Sequence, residues 1–380
     1  MGDSTEPERS IANLPRLIEA LPHAERTLVR RLFDVVEDAG EIVSPPELVP
    51  WLEHTFGSLQ AVRQQRVVRV TNRWTFEGTT FNTLRARRPG AGVTNDPKRM
   101  AEVRARIEAA RGDDFCLPEQ RTPADTFGRV YGRYCRTAAN VARADGWHGV
   151  VILDEHNPLA VTPAQITDAL LVARAWAWRA REVDPRARHL FVLWNCLWRA
   201  GASLVHSHMQ MTLSKAMAHA RVELWRAAAR RYTYETGGSY FADLLTAHQA
   251  LGLAIWPGSA SAFASLTPLK EREVVLLAPS DCWTTTSRDE ATGALEDLLA
   301  GPVARLIEGM RQTGVVAFNA AIFGPPLEQH DGDWSDFPTI ARLLDRGDPL
   351  SATADVAAME LFASSVVASD PFAVARQLAG

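Results

Sequence analysis

Hydrophobic positions in the first 65 residues recur at helical spacing. Leu17, Ile18, Ala20 and Leu21 form one apolar stripe, Val29, Leu32, Phe33 and Val36 another, and Pro46-Glu-Leu-Val49 opens a further short helix. The period then shifts towards two. Val67-Val-Arg-Val70 and Trp74-Thr-Phe76 read as strands that end in the turn Arg85-Ala-Arg-Arg-Pro-Gly90, and Arg99 to Arg111 reads as a charged, exposed helix.

Further along, one succession of elements occurs twice. Val150–Leu153 leads through a helix from Pro163 to Glu182, a strand His189–Asn195 and a strand across Leu204 to Leu213. Val274–Leu277 leads through a helix from about Asp289 to Gln312, a strand Val315–Asn319 and a strand near Asp336 to Leu344. Asn195 and Asn319 fall at equivalent places. Within each copy the strands are separated by a helix or by loops longer than a tight hairpin, which predicts an α+β sheet covered by helices on one side. The expected organisation is a helical N-terminal segment, 1–65, then a first half, 66–245, and a second half, 246–380.

Composition narrows the class without naming a function. A chain of 380 residues with 46% hydrophobic composition can bury a large core, and its formal charge of −4 carries no basic stripe suited to nucleic acid. Lys98, Lys215 and Lys270 are the only lysines. The opening ten residues are polar and no stretch approaches a membrane span, so a cytoplasmic protein with neither nucleic-acid nor membrane partners is expected. Cys116, Cys135, Cys196 and Cys282 lie far apart without CxxC spacing, which suits buried thiols or metal ligands rather than a disulfide framework.

The chemistry concentrates in Gly201-Ala-Ser-Leu-Val-His-Ser-His-Met-Gln-Met211. Read as a strand, it aligns His206, His208 and Gln210 on one face and Val205, Ser207, Met209 and Met211 on the other. Three polar side chains on one face suggest that the face opens on a site, because burying them unpartnered would cost several kcal/mol, roughly. Neutral imidazole is a good nucleophile towards phosphorus and leaves again once phosphorylated. Gln210 can donate to a phosphoryl oxygen, Gly201-Ala-Ser203 offers backbone N–H groups, and Asn195 ends the preceding strand with a side-chain amide. Taken alone, HxHxQ is equally compatible with two strand histidines of no special role.

These segments resemble the galactose-1-phosphate uridylyltransferase family of the histidine-triad superfamily, whose relatives include diadenosine tetraphosphate phosphorylases. The resemblance runs from about Asn72 to the C-terminus and is strongest over Gly146–Leu213, where Gly146-Trp-His-Gly-Val-Val-Ile-Leu-Asp-Glu-His-Asn157 and Ala200–Gln210 carry it. It implies a duplicated histidine-triad-like fold, two mainly antiparallel sheets with helices packed on them, and a homodimeric nucleotidyltransferase with a nucleotide or sugar-nucleotide substrate; the alternatives are a hydrolase or phosphorylase of a nucleotide conjugate and a catalytically silent nucleotide-binding protein. It also implies a covalent nucleotidyl-His208 intermediate with Gln210 on the transferred phosphate. A glutamine at 210 in place of a third histidine favours transfer to an acceptor over hydrolysis. The resemblance further places Arg85 and Arg88 near the nucleotide phosphates, Asn140 near the nucleoside, and Ser203, Asn195 and Gly201 beside the phosphate. A structural zinc would be held by Asp113, Cys116, His156 and His206, with Asp113-Asp-Phe-Cys116 standing where the family has CxxC. Two departures bear on specificity. Phenylalanine and threonine replace the second copy's histidines in Asp333-Trp-Ser-Asp-Phe-Pro-Thr-Ile340, and the tail 351–361 retains only Glu360 of the hexose-phosphate grip, which argues against galactose-1-phosphate as acceptor.

Overall fold

The computed structural model describes residues 8–87, 96–284, 293–328 and 334–379. Arg88, the expected helix start at Asp289, and Asp333 lie outside the described residues. The strands are β1 (Phe33–Glu41), β2 (Gln64–Asn72), β3 (Gly78–Phe81), β4 (Cys135–Ala139), β5 (His148–Leu153), β6 (His189–Cys196), β7 (His208–Ser214), β8 (Ala254–Trp256), β9 (Ser261–Ala264), β10 (Glu271–Ala278), β11 (Ala317–Phe323), β12 (Thr339–Gly347) and β13 (Ser364–Val367). They form a four-stranded sheet in the order β1-β2-β3-β13 and a nine-stranded sheet in the order β4-β5-β7-β6-β11-β12-β10-β9-β8. Every pair in the large sheet is antiparallel; the small sheet has one parallel pair, β3 with β13.

The two sequence copies join edge to edge in the large sheet. Its inner order, β5-β7-β6 then β11-β12-β10, reads the same from either side of the β6–β11 seam, so the copies are related by an approximate two-fold axis through that seam. Asn195 lies directly opposite Asn319, and the preceding residues, Trp194 and Phe318, meet edge to face at 5.1 Å. The residue opposite Asn319 on β12 is Leu344, not the Phe337 or Thr339 that the sequence put in the place of the histidines. The reason is that β12 begins at Thr339 and pairs with β11 through to Gly347.

The sheet's two faces differ. One is covered end to end by the helices Pro163–Val183 and Gly301–Gln312, which bury Val151, Met209, Met211, Trp194, Ala320, Leu343 and Leu276 in one continuous core. Each fully buried side chain of this size contributes about 1.5–3 kcal/mol. The first helix starts at a capping box between Thr162 and Gln165. Its Trp176 packs so closely on β5 that a Cβ at Gly149 would come within 2.8 Å of the indole. On the opposite face the first half buries only a small patch, Ala138, Val150 and Ile152 under Phe115, and the second half a much larger one. Val275, Leu277, Phe323 and Ile340 there pack against Leu14, Val29 and Leu32 of the N-terminal helices, Val70 and Phe81 of the small sheet, and Trp225 and Phe241 of the helices Ala220–Thr236 and Tyr240–Ala250.

Three local expectations change. Trp74–Phe76 forms the turn between β2 and β3 rather than a strand, with Phe76 N–H bonded to Asn72 O at 2.9 Å. Phe33 to Val36 does not continue a helix: the helix His23–Leu32 stops at Leu32 and β1 pairs along its whole length with β2. Nine inter-strand residue pairs outweigh a short apolar stripe that only Val29 and Leu32 bury within the helix. The helix Pro97–Ala109 is charged as expected, yet buries Val103 and Ile107. No described helix is long and apolar enough to cross a membrane.

Candidate active site and metal centre

The first half carries, at one end of the sheet, a cluster of side chains that could hold a metal ion. Asp113, Cys116, His156 and His206 place their ligand atoms within 4.8 Å of one another. Cys116 Sγ lies 3.3 Å from Nδ1 of both histidines, and those two nitrogens are 3.2 Å apart. Nitrogen and sulfur ligands sharing one four-coordinate ion, at about 2.0–2.3 Å from it, lie about 3.3–3.8 Å from each other. The tautomers make the same point. His156 Nε2 donates to Ile107 O at 2.9 Å and His206 Nε2 to Leu153 O at 2.7 Å, so in both neutral rings Nδ1 is a bare lone pair. Two buried lone pairs facing each other repel unless a cation lies between them. The donor set therefore fits a metal ion. Asp113 also caps the turn Asp114–Cys116, its Oδ1 accepting from Phe115 and Cys116 N–H groups, with His206 Nδ1 3.8 Å away.

His206 reaches this cluster because it is not on the strand. β7 begins at His208, while Ser207 N–H bonds to His156 O and Leu153 N–H to Ser207 O, so the chain leaves the ladder before the first histidine. His208 and Gln210 do share one face, opposite Ile152 and Val150 of β5. His208 is buried, against the edge of Phe115 at 5.0 Å between ring centres. Its Nδ1 lies 2.7 Å from His206 O, which fixes the ring proton on Nδ1 and leaves Nε2 as a lone pair. Burial pushes the imidazole below the ordinary histidine range, opposed by that hydrogen bond. The neutral ring is the nucleophilic form.

Side-chain amides of the same half are held in defined orientations. Ala144 N–H donates to His148 Nδ1 at 3.0 Å, so the His148 proton sits on Nε2, 3.0 Å from Gln210 Oε1. Gln210 consequently presents its NH2 group elsewhere, and the residue is only half-buried. Asn140 Nδ2 lies 3.1 Å from the same His148 nitrogen, its Oδ1 taken by Ala142 N–H. On β6, Leu193 is opposite Gln210, and continuing that register sets Asn195 opposite His208. Asn195 Oδ1 accepts from Asn319 Nδ2 at 2.7 Å. Ala138, Val150, Ile152 and Phe115 make a small apolar floor on the same face, separate from the main core. His148 and Asn319 were not singled out from sequence for this role.

The remaining expected residues are more scattered. Gly201, at φ +98°, turns the chain after the segment Trp198–Ala200, and Ser203 is exposed in the loop before His206. Arg85 lies in the turn Thr83–Arg87 that follows β3 of the small sheet. Glu360, in the short helix Ala358–Leu361, pairs with Lys270 Nζ at 2.9 Å. Partial burial raises its carboxyl, but Lys270 and the Ala357 N–H more than offset this and hold it below the usual carboxylate range.

No family model and no curated protein sequence matches the chain. Solved structures do. An ADP-glucose phosphorylase from Arabidopsis thaliana, determined with bound ADP-glucose, aligns over 80% of this chain and 94% of its own, with 18% identity and a TM-score of 0.60. A GalT-like protein from Arabidopsis thaliana covers 71% of this chain and 92% of its own at 17% identity, TM-score 0.56. A uridylyltransferase covers 68% and 87% at 16% identity, TM-score 0.53. The fold of this chain is that of the galactose-1-phosphate uridylyltransferase-like proteins.

Proposed function

We propose that the chain is a nucleotidyltransferase that works through a covalent nucleotidyl-His208 intermediate. The observation that carries this reading is the 2.7 Å contact of His208 Nδ1 with His206 O, which dedicates one ring nitrogen to the proton and the other to attack. His208 Nε2 attacks the α-phosphorus of a nucleoside diphosphate derivative. The bond from phosphorus to the leaving phosphate oxygen breaks, and its electron pair departs with that phosphate. The resulting imidazolium keeps its proton on Nδ1 against His206 O. An acceptor phosphate oxygen then attacks the same phosphorus and returns His208 to its neutral form, giving ping-pong kinetics. Gln210, with its carbonyl held by His148, donates N–H to the phosphoryl oxygens, where charge builds up in both steps. By the resemblance, Ser203 and the N–H groups around Gly201 contact the phosphate, Asn140 the nucleoside, and Arg85 the nucleotide phosphates.

Zinc is the ion that one carboxylate, one thiolate and two imidazoles suit. With four protein ligands it would be structural, tying the Asp113–Cys116 turn and the loop before His208 to the end of β5. The Lys270–Glu360 pair occupies the one tail residue that resembles the family's hexose-phosphate grip. The acceptor is accordingly a phosphate compound other than galactose-1-phosphate, and the working assembly is a homodimer. The ADP-glucose-bound neighbour makes sugar nucleotides the first substrates to try.

The test is intact-protein mass after mixing with ADP-glucose, UDP-sugars and dinucleoside polyphosphates in turn. An adduct on the wild-type chain that is absent from His208→Ala is expected, and an adduct that survives this substitution contradicts the assignment. Product analysis with and without orthophosphate then separates transfer from phosphorolysis.

A further inference from the structure

The second half of the sheet reaches the first half's site at one point, the Asn319–Asn195 contact. Asn319 Nδ2 donates both to Asn195 Oδ1 at 2.7 Å and to Ala200 O at 2.8 Å, which uses both of its hydrogens. Its Oδ1 accepts from Arg346 Nη1 at 2.5 Å. Arg346 is in turn clamped by Asp355, Nε to Oδ2 at 2.5 Å and Nη2 to Oδ1 at 2.8 Å. A guanidinium can only donate and a carboxylate can only accept, so the polarity of this row is fixed from its far end. Turning the Asn319 amide over would set its NH2 against Arg346 and its oxygen against two oxygens. The Asn195 amide inherits the constraint: its oxygen is committed, and its Nδ2 remains to donate. That nitrogen lies on the Gly201 side, 3.9 Å from where a Cβ on Gly201 would stand.

We infer that Asn319 and Arg346 are positioning residues of the catalytic half, holding Asn195 as an N–H donor for a phosphoryl oxygen of the bound nucleotide. This rests on the reading of His208 as nucleophile. A phosphoryl oxygen only accepts, so an amide free to turn would spend part of its time presenting an oxygen to an oxygen. The Asp355–Arg346–Asn319 row removes that wrong orientation before substrate arrives. The second half has thus kept, at the seam, an asparagine that serves the other half's chemistry.

Asn319→Asp tests this with little change in volume. Its carboxylate still accepts from Arg346 but offers Asn195 Oδ1 no donor, so the Asn195 amide turns over. The rate of adduct formation with ADP-glucose should fall about tenfold, the scale of one lost hydrogen bond, with the melting temperature little changed. Asn195→Ala should lower the rate by a similar factor, and adding Asn319→Asp to it should cost nothing further, because the row acts only through Asn195. Arg346→Met run through the same cycle covers the case in which Asn319→Asp fails to fold. A wild-type rate in Asn319→Asp, or an equal further loss in the Asn195→Ala background, overturns the inference while leaving the His208 mechanism standing. Absence of adduct from the wild-type chain with every nucleotide overturns both.

Discussion

Along one face of the large sheet, a single transverse row of residues runs Ala138, Val150, Gln210, Leu193, Ala321, Arg342, Val275, Phe263. Gln210 and Arg342 stand in the same row on the same face, one in each half, and meet opposite fates. Gln210 is half-buried, with one amide end held by His148 and the other left for a ligand. Arg342 is sealed under the N-terminal segment, the small sheet and Trp225. It bonds to Glu273 at 2.5 Å and to Glu77 at 2.9 Å, its guanidinium 4.7 Å from the indole. Glu77 comes from the turn between β2 and β3, so this ion cluster locks the small sheet onto the second half. The duplicated fold thus presents two comparable faces, and the segments that precede and link the copies decide which one remains a site. The second half's face is filled by the chain itself, whereas the first half's face keeps Gln210 half-buried.

The comparison can be broken most forcefully at the ion cluster. Arg342→Ala strands the buried carboxylate of Glu273 and leaves Glu77 with Arg221 alone, and should destabilise the chain by about 3–5 kcal/mol, read as a lower denaturant midpoint. Replacing Arg342, Glu77 and Glu273 together with apolar residues of similar volume should recover much of the loss, and no recovery would mean that the cluster is not a self-contained unit. In the first half the same row position should matter for rate rather than stability. Gln210→Ala should slow adduct formation by roughly 10²- to 10³-fold, as removal of a donor to developing charge does elsewhere, with little change in melting temperature. Stripping the metal with a chelator should lower the melting temperature and slow the reaction. Metal analysis should return one ion per chain for the wild type and none for Cys116→Ala; an unaltered metal content would remove this cluster from the account. The smallest effect is expected for His148→Phe, which keeps the ring volume but frees the Gln210 amide to turn. About a tenfold loss in rate is expected, absent when Gln210 is already alanine, and additivity of the two losses would show that His148 acts elsewhere.

How much of this could be read from the sequence follows from how local each signal is. The four candidate metal ligands were legible because the resemblance carried them, with Asp113-Asp-Phe-Cys116 standing where the family has CxxC, and the quartet does converge within 4.8 Å. The repeat was legible because its strands and helices recur in order, and Asn195 and Asn319 meet at its axis. β1 was not, since Phe33-Asp-Val-Val-Glu-Asp-Ala-Gly-Glu41 buries little and becomes a strand only by pairing with residues about thirty positions later. His148 looked like any strand histidine; its tautomer depends on Ala144 N–H and its partner is 62 residues away. Arg346 likewise acquires its role only through Asn319, across a strand pair that the sequence does not specify.

The central claim is the bond between His208 and the nucleotide. The most direct measurement is to quench the wild-type chain with a sugar nucleotide that yields an adduct, digest it under alkaline conditions, and locate the modification by mass spectrometry. The account predicts a gain of one nucleoside monophosphate less water on the peptide that carries His208, lost on brief acid treatment as a phosphoramidate is. A modification on any other residue, or an adduct that resists acid, would contradict it.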